Sequence, residues 1–417
     1  MRLDEFIEGF ERDRAAERRR LAREKSYAIT DHLEDVERQF EQVVQGDSLF
    51  GSSAPEIFVG RSNYPDVATG LLSPMDREAD PTDFATSGEW YRRGFDIDDV
   101  LQRRTGLLNS TRSSQVNVED VWDGFVGVQR EVAIADHPVD VEVGLDGSPD
   151  LDLSLDDIRT PTGPRARARD ADLAENPHVP RPVEKTLEDD DWQAEGAMTY
   201  LYRRGFDVYD INTILSAGAL GRGRNRRLVP TRWSITAVDD TVSRYLRGTL
   251  RNAPSVDGVE VRYNEYIGND YWVILAPGNW EFELVELKAP GSIWNPDPEG
   301  EYYLAADSET YEGRTAYVDE TSGAYYASRL AVLEHLQERD RQATCLVIRH
   351  ASESYWAPVG VWQIREGVRH AFEGDPATAE TFHDAVRQLE TALPVSLETL
   401  RRKSELVAGV QSQLTDF

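Results

Sequence analysis

VEVRYNEYIGNDYWVILAPGNWEFELVELK, Val259 to Lys288, is the stretch that decides how this chain folds. Val259–Tyr266, Tyr271–Leu275 and Trp280–Leu287 are rich in β-branched and aromatic residues. Gly268-Asn269-Asp270 and Pro277-Gly278-Asn279 separate them, so the spacing predicts three strands joined by tight turns. On one side lies a helical pattern over Ala237–Leu250. On the other, Gly323–Arg339 places Ala327, Leu330, Leu333 and Leu336 on one helical stripe. Thr344–His350 reads as a buried strand and Trp356–Arg365 as another. Helices are expected over Ala377–Leu393 and from Ser396 to about Ala408, with Ser396 as N-cap and Pro394 upstream as punctuation.

Further out, Leu3–Val44 has Phe6, Phe10, Leu21, Ile29, Leu33, Val36 and Phe40 at helical spacing. Its run Arg18-Arg19-Arg20 with Arg23 is interleaved by Glu17 and Glu24, as on a solvated, salt-bridged helix face. SAPEIFVGRSNYPDVATGLLSP (Ser53–Pro74) is a short strand at Ile57-Phe58-Val59 leading into Gly- and Pro-bounded turns. Asp136–Pro182 is acidic, then rich in Pro and Arg, and reads in part as a surface loop. The expected fold is mixed α/β (α+β), a mainly antiparallel sheet with flanking helices and helical N- and C-terminal segments. The expected division is 1–45 a helical segment, 46–195 an N-terminal lobe with the acidic and Pro-Arg-rich loop, 196–375 an α/β lobe, 376–410 C-terminal helices, and 411–417 a tail.

One internal echo stands out. Tyr91-Arg-Arg-Gly-Phe-Asp96 recurs as Tyr202-Arg-Arg-Gly-Phe-Asp207, each followed by a Thr-Arg-x-Ser string, at Thr111–Ser114 and Thr231–Ser234. The pattern fits a duplicated unit facing itself across a pseudo-twofold cleft. It equally fits a repeated helix, glycine turn and strand entry, with Gly94 and Gly205 as C-caps.

Composition bounds the function. The 417 residues carry 76 acidic side chains against 46 basic ones, a net charge of −30, and lysine occurs only at Lys25, Lys185, Lys288 and Lys403. A surface of Asp and Glu nearly free of Lys suits solubility in concentrated salt, and a halophilic source is expected. On that footing the acidity reports on the solvent and does not exclude a nucleic-acid partner. The single cysteine, Cys345 in TCLVIRH, cannot form an internal disulfide and reads as a buried strand residue. No Cys/His cluster has structural zinc spacing, so no metal is expected. The N-terminus lacks an apolar signal core and no run of about eighteen apolar residues occurs, so the expectation is cytoplasmic, with no membrane partner.

Three sets of residues point to chemistry. The last seven, QSQLTDF, place Gln411, Leu414 and Phe417 at the Gln-x-x-aliphatic-x-x-aromatic spacing of a peptide that plugs into a DNA sliding clamp. A tight turn sets positions three and six onward from Gln411 on one side, where Leu414 and Phe417 fill an apolar pocket. Burying them contributes roughly 1.5–3 kcal/mol each before entropic losses, enough for a reversible tether. Second, GRGRNRRLVPTRW holds the densest positive cluster: Arg222, Arg224, Arg226, Arg227 and Arg232. Gly221 and Gly223 would let backbone approach phosphate, and Trp233 offers a stacking face, so the cluster is the candidate DNA-binding site. Its alternative is an arginine-rich loop pairing with the protein's own carboxylates. Arg61, Arg92-Arg93 and Arg203-Arg204 are further candidates. Third, the order helix, three strands, helix, strand from Ala237 to His350 resembles PD-(D/E)xK nucleases. Asp270 and Glu286 would then hold Mg²⁺ and Lys288 would stabilise developing charge. Glu283, three positions from Glu286, faces the opposite side of a regular strand. Whether the chain is an enzyme stays open.

The chain also resembles a known family, the archaeal Nre DNA-repair proteins, and reads as a haloarchaeal member. The resemblance rests on Pro55–Pro74, both Arg-Arg-Gly-Phe-Asp segments, WEFELVE (Trp280–Glu286), GAYYASRLAVLEHLQERDRQA, YWAPVGVWQIREGVR and the C-terminal motif. It implies a role in DNA-damage repair as an accessory of the archaeal sliding clamp, PCNA. Many relatives carry an N-terminal zinc-binding cysteine cluster, which this sequence lacks. The resemblance carries no catalytic residues, so it implies a pathway and not a reaction.

Overall fold

The computed structural model describes residues 44–45, 48–76, 78–118, 121–147, 163–295, 297 and 299–412. The helix expected over Leu3–Val44 lies outside the described residues except at Val44, which with Gln45 forms strand β1. The chain divides into two compact units at Val242–Ser243. Composition had suggested a boundary near residue 195.

In the first unit β1 is followed by β2 (Ser48–Ser53), β3 (Ile57–Val59), β4 (Asp66–Pro74), β5 (Leu107–Gln115), β6 (Val139–Leu145) and β7 (Arg165–Leu173). They form one sheet in the order β1-β2-β6-β7-β5-β4-β3, antiparallel throughout except where β5 and β7 run parallel. Within Asp136–Pro182, expected in part as surface loop or linker, Val139–Leu145 and Arg165–Leu173 are strands, and 148–162 lies outside the described residues. The physical reason lies in phase and side-chain size. RARARDADL alternates only as far as Ala168, an irregularity at Arg169 shifts the phase, and its inward residues, Ala166, Ala168 and Ala171, are too small to register as a hydrophobic strand. Helices of this unit are α1 (Glu89–Arg92), α2 (Ile97–Thr105), α3 (Gly124–Ile134), α4 (Arg181–Glu188), α5 (Ala194–Arg203), α6 (Val208–Ser216) and the start of α7 (Thr231–Leu250). Phe125, Val128 and Val132 of α3 join Val67, Leu71, Val141 and Val143 in the core. Gln129, buried on the same helix, donates from Nε2 to Phe58 O at 3.2 Å and Gly70 O at 3.0 Å. Helix α6 packs on α3 and β3, which keeps the segment beyond residue 195 with the first sheet.

The echoed segments take the same local shape, although each glycine leads into a helix and not a strand. Gly94 (φ 69°) and Gly205 (φ 90°) end α1 and α5 in the left-handed region. Asp96 and Asp207 then cap α2 and α6, accepting from Asp99 N at 2.9 Å and Tyr209 N at 3.2 Å. The second landmark is not equivalent: Thr111–Ser114 lies in β5, whereas Thr231–Ser234 is the first turn of α7.

The second unit contains β8 (Val259–Tyr266), β9 (Asn269–Ala276), β10 (Glu281–Lys288), β11 (Tyr303–Glu309), α8 (Gly323–Arg339), β12 (Thr344–Ala351), α9 (Trp362–Ala371), β13 (Ala377–Ala379), α10 (Phe382–Gln388), α11 (Leu397–Lys403) and α12 (Glu405–Ser412). The sheet order is β11-β10-β12-β9-β8-β13, with β10 and β12 parallel across the α8 crossover. Ile267 and Gly268 both take positive φ in the two-residue turn joining β8 to β9. The segment expected as a strand at Trp356–Arg365 yields helix α9 instead. Trp362, Ile364, Arg365 and Val368 are all buried in it, and the helical period becomes visible only when the reading extends past Arg365. The helix expected over Ala377–Leu393 is split, its start forming edge strand β13. Ser396 does cap α11, accepting from Thr399 N at 3.1 Å.

This is a three-layer α/β/α unit. Paired residues share a face, so register sorts the core. Phe282, Cys345 and Leu275 lie side by side facing α8, where the Phe282 and Tyr325 rings meet edge-on at 5.1 Å. Val285, Ile348 and Trp272 face the other way, against Val386, Leu389, Leu400 and Val407. Cys345 is fully buried, as expected, and burial pushes its thiol pKa well up.

Glu283 and Glu286 fall on opposite faces. Glu283, 1% exposed, accepts from Ser404 Oγ at 2.7 Å, Glu405 N at 2.7 Å and Leu406 N at 2.9 Å. Its carboxylate therefore occupies the N-terminus of α12, where orphan amides and the helix dipole favour negative charge. Burial nevertheless pushes its pKa up. Glu283→Ala is expected to lower the unfolding free energy in urea by about 2–3 kcal/mol. It is also expected to release the Glu405 and Leu406 amides to hydrogen exchange. Unchanged protection at both amides would show that the cap does not hold the helix.

Candidate nucleic-acid interface

Gly60–Pro65, between β3 and β4, is a surface turn closed by Gly60 N to Ala68 O at 2.7 Å and Asp66 N to Asn63 O at 2.8 Å. Asn63 takes φ 64°, which its short polar side chain tolerates, and the Tyr64–Pro65 peptide is cis. The turn leaves Tyr64 outside, 47% exposed. Beside it stands Trp233, 46% exposed, with ring centroids 5.5 Å apart and planes inclined by 50°.

Trp233 is held by the first turn of α7. Pro230 O accepts from Trp233 N at 2.7 Å and Ser234 N at 3.0 Å. Thr231 Oγ1 accepts from Val59 N at 3.0 Å, tying the helix start to the end of β3. Ser234, buried, donates to Asn212 Oδ1 at 2.6 Å. The approach to this helix is stitched to the same edge. Leu228 N donates to Val116 O at 2.7 Å, and Val116 N donates to Pro65 O at 3.1 Å, which sets the exposed Arg227 near the Tyr64 turn. Arg61 and Arg232 are exposed on the turn and on the helix start. Two aromatic faces, three arginines and a helix N-terminus thus share one end of the first unit.

The arginine cluster read from the sequence divides accordingly. Arg227, Arg232 and Trp233 belong to this surface. Arg226 does not, being 5% exposed. It donates to Gly221 O at 3.1 Å, Leu187 O at 2.8 Å and Thr186 O at 3.3 Å, satisfying carbonyls at the C-terminal end of α4. Arg222 Nε donates to Asp191 O at 3.3 Å. The space beside Gly223 is filled by Asp190, whose Oδ1 would sit 2.8 Å from an added Cβ. That glycine makes room for a carboxylate of the protein and not for a phosphate. Arg224 is exposed on the same loop. Of the other candidates, Arg93 pairs with Asp83 at 2.5 Å and Arg92 with Glu89. Arg204 lies over the Tyr200 ring at 5.2 Å, and Arg203 is exposed.

Tyr64 does not stand out in the sequence, because nothing in NYP distinguishes an outward tyrosine from a packed one. The arginines of β7 were missed too. Arg165, Arg167 and Arg169 are exposed beside buried Ala166 and Ala168, and Arg165 lies 5.8 Å from the Phe58 ring.

The residues named for a nuclease do not converge. Register places Asp270 opposite His350, which lies opposite Leu287, on the face of α10–α12. Glu286 and Lys288 occupy the face of α8 and α9. Glu286 is buried against the guanidinium of Arg349, itself 3% exposed, and Lys288 Nζ lies 3.2 Å from its other oxygen. A carboxylate so matched by cations is a poor ligand for Mg²⁺. Asp270 instead lies 2.8 Å from His350 Nδ1 and accepts from Tyr263 OH at 2.7 Å. The contact with His350, then that with Tyr263, holds its pKa below the usual 3.8. Of the clamp motif, Leu414 and Phe417 lie outside the described residues, and Gln411 falls in the last turn of α12.

Substitutions separate these roles. Arg226→Ala is expected to lower stability by about 2–3 kcal/mol, because three carbonyls lose their donor, whereas Arg224→Ala stays within about 0.5 kcal/mol. Equal losses in chemical denaturation would place Arg226 on the surface. Because the folded Asp270 carboxyl titrates below its unfolded value, its contribution is full above about pH 4 and disappears as pH falls through the lowered value. Asp270→Asn is expected to remove on the order of 1 kcal/mol at pH 7 and progressively less as pH falls below about 4, a trend that parallel urea titrations would detect.

Comparison with known proteins places the chain. A family model described as "Archaeal Nre, N-terminal" matches residues 21–295, and one described as "Archaeal Nre, C-terminal" matches residues 309–417. The DNA repair protein NreA of Haloferax volcanii is 70% identical over 420 residues, covering 100% of both chains. The DNA repair protein NreA of Archaeoglobus fulgidus is 40% identical over 340 residues, 81% of this chain and 83% of its own length. The DNA repair protein NreB of that organism is 34% identical over 377 residues, 90% and 93% of the two lengths. No solved structure matches. On two family models spanning nearly all of its length, and a 70% identical relative matched from end to end, the chain belongs to the archaeal Nre family.

Proposed function

We propose that this protein is a DNA-repair factor that is brought to DNA by the sliding clamp, PCNA, and touches the nucleic acid through the Tyr64–Trp233 surface. Family membership supports the repair role, since relatives matched along their length are named DNA repair proteins. The observation that carries DNA contact is the exposed, mutually inclined Tyr64–Trp233 pair with Arg61, Arg227 and Arg232 around it. Aromatic faces left outside a core suit stacking by unpaired bases, which is tolerant of sequence and contributes about 1–3 kcal/mol per base. Clamp recruitment is supported by the spacing of Gln411, Leu414 and Phe417 alone.

The two contacts suit a protein with net charge −30. At about 1 M salt the screening length is roughly 3 Å, so phosphate pairing has little reach. Stacking and an apolar plug survive, and the encircling clamp raises the local concentration of DNA.

The test is fluorescence anisotropy with a labelled single-stranded oligonucleotide, together with clamp pull-down. Tyr64→Ala with Trp233→Ala is expected to weaken DNA binding by at least about 10-fold, with clamp capture retained. Deleting 411–417 is expected to abolish capture, with the affinity for free DNA retained. Unchanged DNA affinity in the double variant would remove the aromatic surface from the reading, and unchanged capture in the deletion would remove the tail.

A further inference from the structure

We propose that Asp136, His137 and His178 form a binding site for a divalent transition-metal ion of borderline softness such as Zn²⁺. The sequence suggests no metal, because His137 and His178 lie far apart and neither belongs to a spaced cysteine or histidine cluster. The fold brings them together. Asp136 and His137 sit in the turn between α3 and β6, and His178 lies on the segment joining β7 to α4. Asp136 N donates to His178 O at 3.2 Å, fastening the two segments.

The side chains meet through one carboxylate. Asp136 Oδ1 lies 2.7 Å from His137 Nδ1, and Oδ2 lies 2.8 Å from His178 Nδ1, with the imidazole centroids 6.3 Å apart. One donor atom from each residue lies within 4.8 Å of the others. A tetrahedral Zn²⁺ with bonds of about 2.0–2.2 Å holds its ligands roughly 3.3–3.5 Å apart, so small side-chain rotations convert the cluster into three ligands of one ion. Two imidazoles and a carboxylate are the donor set of Zn²⁺, Co²⁺ or Ni²⁺, while Ca²⁺ and Mg²⁺ prefer oxygen alone.

The backbone is prepared for this. Pro138 follows His137, and Pro177 and Pro180 bracket His178, so both imidazoles stand on stiffened chain and little entropy remains to be lost on binding. Glu175 is committed elsewhere, accepting from Asp140 N at 3.0 Å. The site therefore offers three protein ligands, and water completes the coordination, with side chains 40%, 46% and 71% exposed at Asp136, His137 and His178.

The test uses the full chain without a histidine tag, stripped by chelator and titrated with Co²⁺ and then Zn²⁺. Visible d–d absorption and calorimetry report occupancy. One ion per chain is expected, displaced from Co²⁺ to Zn²⁺, with affinity reduced at least 100-fold in His137→Ala with His178→Ala and about 10-fold in Asp136→Asn. Zn²⁺ is also expected to raise the melting temperature of the native protein but not of the double variant. If the double alanine variant misfolds, His178→Gln alone serves, since it keeps a polar surface side chain while removing one ligand. No binding at millimolar Co²⁺, or the same affinity in native protein and His178→Gln, would overturn the proposal.

Discussion

A carboxylate inside a protein must be met by donors, and strand β10 buries two of them on opposite faces of one sheet. Glu283 points into the layer of α10–α12 and Glu286 into that of α8 and α9. Each is answered differently. Glu283 receives a hydroxyl and two backbone amides at the start of α12, while Glu286 receives Arg349 and Lys288. The packing of the second unit depends on these answers. An unmet carboxylate in either layer would cost several kcal/mol, comparable to the whole stability of a domain. The last helix is thus positioned by a charge from the centre of the sheet, and it is the helix in which Gln411 lies.

The same rule explains why the arginines of an acidic protein are not interchangeable. Arg226 is consumed by carbonyls at the end of α4, and Arg349 by Glu286. Arg227 stays on the surface between buried Arg226 and buried Leu228, and Arg232 is exposed with Trp233 on the first turn of α7. The guanidinium fork, with donors fixed in a plane, suits both duties. Local density of arginine in a sequence therefore measures neither exposure nor binding. The two classes are separated by whether acceptors of the protein, carbonyls for Arg226 and a carboxylate for Arg349, stand within reach inside the fold.

Much of the second unit was legible. Val259–Tyr266, Gly323–Arg339 and Thr344–His350 were read with nearly their true limits, since each carries strong periodicity between Gly, Pro or Asn punctuation. The first unit was less so. Strand β7 presents arginine and alanine in place of large apolar residues, and helix α9 begins in a segment whose first residues also suit a strand. The echo at Tyr91 and Tyr202 was visible because a glycine C-cap followed by an aspartate N-cap is a local device. The equivalence of the Thr-Arg-x-Ser strings was not decided locally, and one became strand and the other helix.

The residue pattern by itself determined the fold class, the alternation that separates Glu283 from Glu286, the burial of Cys345, and the family, through motifs spread along the chain. Periodicity and capping are properties of neighbours within a few positions, so a sequence states them directly. Only the tertiary structure decided that Asp270 and Glu286 stand on opposite faces, that Arg226 is internal, that Tyr64 stands beside Trp233, and that Asp136 and His137 meet His178. Each of these depends on which strands pair and in what register. That pairing is set by the burial of the whole core, and no short stretch of residues contains it.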